Sequence, residues 1–201
     1  MSRLTPLLAL CLCAGMLSAQ EANTRSTSFL LGMGLTFGGD KLASVSFTDG
    51  TTKSINAGGL FYFKAGADWQ FQPRWSFQGT FGIHGDSVNA SNGSLKFQRN
   101  FLEGLFHFDT TRTQRLGFGL RKTSSARFTS TGAASVGDMD FDSKAGVVVE
   151  YEWFHKQGPR GWGMSLRYVN EKYTPSKVDG IPVTGPDVDG SHLGVGLSLY
   201  L

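Results

Sequence analysis

HLGVGLSLYL, residues His192 to Leu201, is the stretch that decides the fold. Leu193, Val195, Leu197, Leu199 and Leu201 alternate with Gly194, Gly196, Ser198 and Tyr200. Successive side chains of a β-strand point to opposite sides, so five apolar residues share one face and small or polar residues share the other. No charge interrupts the apolar face. A strand of this kind placed last is expected to complete a closed sheet, because closure removes the need to cover an edge.

The same alternation recurs seven times upstream. Thr27 to Gly38 sets Phe29, Leu31, Met33, Leu35 and Phe37 on one face. Gly59 to Phe71 sets Phe61, Phe63, Ala65, Ala67, Trp69 and Phe71 against Tyr62, Lys64, Gly66, Asp68 and Gln70. Arg74 to Gly85 sets Trp75, Phe77, Gly79, Phe81 and Ile83 against Ser76, Gln78, Thr80, Gly82 and His84. Period two over such lengths is a strand signal. Ser94 to Phe108 changes phase: Leu95 and Phe97 are apolar at odd positions, Leu102, Gly104, Phe106 and Phe108 at even ones. A bulge near Arg99–Asn100 is expected to restore one face. The remaining segments are Arg115 to Lys122, Asp142 to Phe154 and Gly161 to Tyr173.

The connections alternate in length. Gln72–Pro73, Asp109 to Gln114 and His155 to Arg160 are short; Gly39 to Gly58, Thr123 to Phe141 and Thr174 to Gly190 are long, and Asp86 to Gly93 is intermediate. Asp49–Gly50, between Val45–Phe47 and Ile55, marks a hairpin inside the first long loop, where the sheet is expected to extend beyond the neighbouring strand ends.

The N-terminus carries a different signal. Arg3 precedes an apolar run from Leu7 to Cys13, and Ser18–Ala19–Gln20 offers small residues for cleavage. Residues 1–20 therefore read as a secretory signal peptide, leaving 21–201 as one barrel domain. Leu10 and Leu12 stand where a lipoprotein signal needs a small residue before Cys11 or Cys13. Both cysteines fall inside the signal, so the mature chain has no disulfide or thiol chemistry. Removing Arg3 from 19 basic residues leaves 18 against 16 acidic, a net +2 that gives no nucleic-acid footprint. Charged residues are 17% of the chain, against a usual quarter, while it holds 27 Gly and 16 Phe. That balance suits a membrane β-barrel better than a soluble sandwich. No helix-length apolar run follows the signal.

An export signal, eight amphipathic strands and the terminal HLGVGLSLYL together resemble the small eight-stranded bacterial outer-membrane β-barrel proteins, of the OmpA/OmpX type. The resemblance covers the whole mature chain and rests on architecture, signal and terminal strand. It implies an all-β, eight-stranded antiparallel up-and-down transmembrane β-barrel in the cell outer membrane. It also implies that the terminal strand closes the barrel and helps the outer-membrane assembly machinery recognise it. Members of the family usually end on Phe or Trp; this chain has Leu201.

A lipocalin-like soluble barrel alternates too, with its apolar face inside. Three features favour apolar-out. All four Trp residues flank short turns, Trp69 and Trp75 around Pro73, Trp153 and Trp162 around Gly158–Pro159, as an aromatic girdle at one membrane interface would. The polar face carries more Gly, Ser, Thr and Gln than a solvated surface would. The last strand is left uncovered, as closure allows. Lys64, Asp68, Arg121, Glu150, Glu152, Arg167 and Glu171 then point into the lumen. Three positive and four negative groups are expected to pair and plug it, Arg167 with Glu150 or Glu152 for instance.

Some small barrels of the resembled family deacylate lipid A or transfer a palmitoyl chain to it, which needs a Ser, a His and a carboxylate in reach. His107 and His155 lie toward the short turns. His84 and His192 lie at the long-loop mouth, beside Asp86 and beside Asp189 and Ser191, and read as polar residues of a wet rim. Asp138, Asp140 and Asp142 alternate but read as a solvated acidic edge rather than a Ca²⁺ loop. No zinc spacing or phosphate loop is present, and no cofactor is expected. The expected role is structural or interactive, not enzymatic: a monomer contacting outer-membrane lipids and lipopolysaccharide and presenting loops to a surface partner. The alternatives are a small pore for hydrophobic or ionic solutes and a lipid A-modifying enzyme.

Overall fold

The computed structural model describes residues 26–46, 50–90, 92–133, 135–155 and 161–201. The expected signal peptide, with Cys11 and Cys13, lies outside the described residues, as do Asp49 of the first-loop hairpin and the Gly158–Pro159 turn. Fourteen strands are present among the described residues: β1 (Ser26–Gly38), β2 (Lys41–Ser46), β3 (Thr52–Asn56), β4 (Leu60–Gln72), β5 (Trp75–Ala90), β6 (Gly93–Asp109), β7 (Gln114–Gly132), β8 (Met139–Ser143), β9 (Gly146–Phe154), β10 (Gly161–Asn170), β11 (Lys172–Val178), β12 (Ile181–Pro182), β13 (Val188–Asp189) and β14 (His192–Tyr200).

Eight of them form a closed antiparallel barrel. Each of β1, β4, β5, β6, β7, β9, β10 and β14 pairs with its neighbour in that order, and β14 returns to β1. The closing seam runs from Leu30 opposite Tyr200 to Gly38 opposite His192. Phe29 and Leu201 extend it by exchanging both backbone hydrogen bonds, at 3.2 and 2.8 Å. No barrel edge is left with a row of unpaired backbone groups, the condition that alternating strands with short turns can meet only by closure.

The apolar faces point outward. Phe29 is 68% exposed, and Leu31, Met33, Phe63, Phe81, Leu102, Leu120, Val147, Leu166 and Leu197 are exposed with it. The opposite positions are buried and largely polar. β14 shows the pattern most plainly: His192, Gly194, Gly196, Ser198 and Tyr200 are buried and the residues between them exposed. The lumen is narrow enough to require glycine. A Cβ on Gly196 would lie 2.2 Å from the Tyr62 hydroxyl and 2.9 Å from Ser165 Oγ.

The structure corrects the sequence reading in three places. β6 has no bulge and no phase change: Leu95, Phe97, Arg99, Phe101, Glu103, Leu105 and His107 are all buried, in unbroken register with β5. The register shift lies in β7, where Ser125 adopts φ 52° and adds a residue opposite Arg99. Leu95 and Phe97 are inward because the lumen itself turns apolar at that height.

The second correction concerns the long loops, which are mostly strand. β7 runs on to Gly132, β8 resumes pairing with β7 beyond a break at Lys144–Ala145, and β11 pairs with β8. The wall therefore rises well beyond the apolar belt on one side. The expected first-loop hairpin is present as β2 and β3, but as a separate two-stranded sheet rather than an extension of the wall. It folds over the barrel mouth. Ile55 and Ala57 pack with Val88, Leu95, Phe97, Ala126, Phe128, Phe141 and Tyr173 in a buried apolar core.

A larger side chain at Gly196 should force Tyr62 from its place and open the seam. Gly196→Val is expected to cost about 1–3 kcal/mol, the usual scale for overpacking, whereas Ser198→Ala should cost less than about 1 kcal/mol because it adds no volume; a denaturant titration of both variants checks this.

Candidate functional site: the lumen and its cap

Each lumen residue is set by strand parity and register, and together they form connected layers. Nearest the short turns, Arg115 of β7 is the hub. Its Nη1 donates to Asp68 Oδ2 at 2.5 Å and its Nε to Glu152 Oε2 at 2.9 Å. Its Nη2 donates to Gln78 Oε1 at 3.1 Å and to the Tyr200 hydroxyl at 2.5 Å. Tyr200 in turn donates to Glu152 at 2.9 Å. The guanidinium lies over the Phe154 and Tyr200 rings, at 5.0 and 5.3 Å from their centroids.

The middle layer joins Lys64, Glu150, Arg167, Glu103 and Arg121. Lys64 Nζ lies 3.4 Å from Glu150 Oε2, and Arg167 Nη1 lies 3.8 Å from the same oxygen. Arg167 makes its short contact elsewhere, donating from Nη2 to Glu103 Oε1 at 2.5 Å. Arg121 Nη1 donates to that same Glu103 oxygen at 3.1 Å, and Arg121 Nε lies 3.2 Å from Glu171 Oε2. Arg121 therefore ties the middle layer to the upper one. His107 Nε2 sits 3.5 Å from Glu150 Oε1.

In the upper layer, Thr123 donates to Glu171 Oε2 at 2.8 Å and Arg99 Nε lies 3.8 Å from Glu171 Oε1. His84 Nδ1 lies 2.8 Å from Arg99 Nη2, and its Nε2 lies 2.7 Å from Thr36 Oγ1. His192 bonds the Gly190 carbonyl at 2.8 Å, with its ring 5.0 Å from that of His84. These histidines are not at a wet rim: both are buried beneath the apolar cap. Asp86 accepts a bond from the Asn56 backbone of the hairpin. Asp40 clasps the hairpin to β13, its amide donating to Asp189 O at 2.7 Å and its Oδ2 accepting from the Asp189 amide at 2.8 Å. Hydrogen bonds from Ser191 hold the Asp189 carboxyl below its ordinary pKa.

The seven charged residues expected in the lumen are all buried there. Arg99, Glu103 and Arg115 were not among them. Glu103 and Arg115 share parity with expected inward residues of their strands, so alternation alone could have found them. Arg99 was hidden by the expected bulge. With these three, the described residues hold five buried cations, Lys64, Arg99, Arg115, Arg121 and Arg167. Five buried anions, Asp68, Glu103, Glu150, Glu152 and Glu171, face them. The four tryptophans stand on the outer wall toward the short turns, where Trp75 packs on Phe108 at 4.9 Å and Trp153 on Tyr151 at 4.3 Å.

Two clusters have the spacing of metal ligands: His84, Glu171 and His192, and His107, Glu150 and Glu152, each with ligand atoms within 4.8 Å of one another. Their surroundings oppose a cation. Arg99 and Arg121 both reach His84 Nδ1, at 2.8 and 3.2 Å. The second cluster is met by Lys64 and Arg115. A divalent ion would add charge to a lumen already neutral. The acidic edge is equally committed: Asp138 and Asp140 pair with Arg127.

No protein-family model matches the sequence, and no curated protein is similar to it. Among solved structures, the chain is similar to the attachment invasion locus protein Ail of Yersinia pestis, solved with sucrose octasulfate. The TM-score is 0.49 at 11% identity, covering 87% of this chain and 97% of that one. It is similar to Neisserial surface protein A at TM-score 0.48 and 13% identity, covering 89% of this chain and 100% of that one. It is also similar to outer membrane protein AlkL at TM-score 0.43 and 15% identity, covering 88% and 90%. The eight-stranded barrel itself stands on the closed ring of strand pairs.

Removing Arg115 would strand Asp68 and Glu152 without their cation. Arg115→Met is expected to destabilise the barrel by about 3–5 kcal/mol, the scale of a broken buried ion pair, while the triple change Arg115→Met, Asp68→Asn, Glu152→Gln should recover part of the loss. Equal stability of the single variant and the wild type in equilibrium denaturation would show that the network is dispensable.

Proposed function

We propose that this chain is an integral outer-membrane barrel of structural or interactive role. It stands as a monomer with its short turns toward the periplasm and its long loops outside. One observation carries the reading: a continuous exposed apolar belt surrounds a lumen that is polar, charge-balanced and capped. Hydrocarbon tolerates only segments whose backbone groups are all paired, and a closed barrel meets that condition. On six of the eight barrel strands the belt is seven to nine residues long, with β7 shorter (Leu116–Leu120) and β4 longer (Phe61–Phe71); seven to nine residues span about 23–30 Å at about 3.3 Å per residue, which suits a tilted crossing. The aromatic residues near the short turns match an interfacial girdle.

The filled lumen speaks against a pore. Every lumen cation has a carboxylate within 4 Å, and the hairpin core seals the upper end. An enzyme acting on lipid A through His84 or His192 also finds little support. Their hydrogen-bond partners among the described residues are Thr36, Arg99, Arg121 and the Gly190 carbonyl, with no serine. Both rings are shut away from any lipid. What reaches outward is the raised wall of β5 to β8 and β11, the surface offered to a partner, with the lipids of the membrane and the assembly machinery as its other contacts.

Refolded into detergent, the protein should migrate differently on a denaturing gel when boiled and unboiled. In planar bilayers it should give no steady conductance. Loss of the mobility shift, with β-rich circular dichroism in plain buffer, would sink the membrane reading; stable channel currents would replace the plugged barrel with a pore.

A further inference from the structure

The outer wall changes chemistry within one step above the belt. On β6 the uppermost apolar outward residue is Leu102, and on β7 it is Leu120. The next outward residues are Asn100 and Lys122, both exposed. Gln98 and Lys96 follow on β6, and Arg127 and Thr129 on β7. The register sets Gln98 opposite Arg127 and Lys96 opposite Thr129.

The β7 bulge opens this ladder. Ser125, at φ 52°, adds a residue between Ser124 and Arg127. The outer wall there holds a pocket of about 250 Å³ lined by Lys96, Gln98, Asn100, Ser125, Arg127 and Thr129. All six lining side chains carry an N–H or O–H donor, and none is a carboxylate. Arg127 is held from its far side: Nη2 donates to Asp138 Oδ2 at 3.1 Å, and Nε lies 3.6 Å from Asp140 Oδ1. Those acids fix the guanidinium and offset much of its charge; neither takes Nη1. Lys96 makes no ion pair among the described residues, so it supplies the pocket's net positive charge.

We propose that this pocket binds the phosphate of a membrane lipid headgroup, with the lipid's acyl chains lying on the belt beneath it against Leu102 and Leu120. The chemistry is that of an oxyanion: donor-bearing residues line one pocket, with Lys96 as its unpaired cation among the described residues, and charge-assisted bonds are the strongest such a pocket can offer. The position selects the lipid. A free phosphate on so exposed a wall competes with water and is screened by salt, whereas acyl chains packed on the adjoining belt hold the headgroup in place. The site lies where polar headgroups meet the hydrocarbon, so the proposal rests on the membrane reading above.

The test uses the full mature chain in phosphatidylcholine nanodiscs, with and without phosphatidic acid, a phosphate-monoester lipid. Lipid retention is read by native mass spectrometry, and the mobility shift of the same samples is read on a gel. Wild type should retain phosphatidic acid over phosphatidylcholine. Lys96→Glu and Gln98→Glu, which place a carboxylate in the pocket without breaking an ion pair seen here, should each weaken retention about fivefold or more, the order of one lost charge-assisted bond. Lys41→Glu, an equal charge change at an exposed residue of the separate β2–β3 sheet, should leave retention unchanged. Equal retention by wild type and Lys96→Glu overturns the proposal, as does an equal fall with Lys41→Glu, which would mean a net-charge effect. Displacement of the lipid by inorganic phosphate at matched concentration overturns the lipid assignment in favour of a free-anion site. If the mobility shift is present and lipid preference absent, only this proposal fails; if the shift itself is absent, the membrane reading fails beneath it.

Discussion

Ten formal charges share a lumen only a few side chains wide, and the barrel depends on their neutrality. Each charge alone would carry a desolvation penalty of several kcal/mol. The arrangement offsets this by sharing partners. Glu103 accepts from both Arg121 and Arg167 through one oxygen. Arg121 also reaches Glu171, so the middle and upper layers cannot be displaced independently. Arg115 engages acids from β4 and β9 at once, and through Tyr200 it also touches β14. Its contacts therefore span the barrel seam, and side chains reinforce across the lumen what backbone pairing does around it. Networks of this kind are favourable when their members are satisfied; here Glu103 Oε2, Arg167 Nε and both ring nitrogens of His107 have no hydrogen-bond partner among the described residues.

Glycine is the counterpart of those large side chains. Four arginines, a lysine and several aromatic rings fill the interior, so some facing wall must be bare. Gly34 and Gly196 both face Tyr62, and Gly32 faces the Lys64 stem. β1 and β14 thus act as the thin side of the barrel, against which β4, β6 and β7 project their bulk. The alternating glycines of HLGVGLSLYL serve this purpose as well as the strand pattern.

The closed architecture was legible in the sequence because period-two alternation is dense and short turns punctuate it. β1, β4 and β14 lie within a residue or two of their expected limits. The fourth strand differs from its sequence pattern for a physical reason. If alternation means apolar outside throughout, Leu95 and Phe97 imply a shift of face. They instead belong to a second, apolar interior above the charged one, formed only because the β2–β3 hairpin folds over the mouth. Such a long-range contact leaves no periodic mark. The continuation of β7 past Lys122 was hidden similarly, since Ser124, Ser125 and the residues after them are polar on the outer face and broken by a bulge. Glu103 and Arg115, in contrast, were within reach of parity alone.

The apolar cap also explains how the upper layer is kept in order. His84, His192 and Glu171 would be hydrated at an open mouth, and water would compete for Arg99 and Arg121. Beneath Phe97 and Tyr173 that competition is removed. Arg99 lies 5.0 Å from the centroid of Phe97 and 5.7 Å from that of Tyr173, so the cap contacts the cation it shields. The hairpin is in turn held by polar bonds at its root, from Asp40 to β13 and from Asn56 to Asp86. Apolar burial and ion pairing are therefore stacked along one axis: the cap lowers the local dielectric that strengthens the ion pairs below it, and the filled lumen gives the cap a floor on which to pack. Weakening either layer should loosen the other, while the outer belt, set by strand closure, stays as it is.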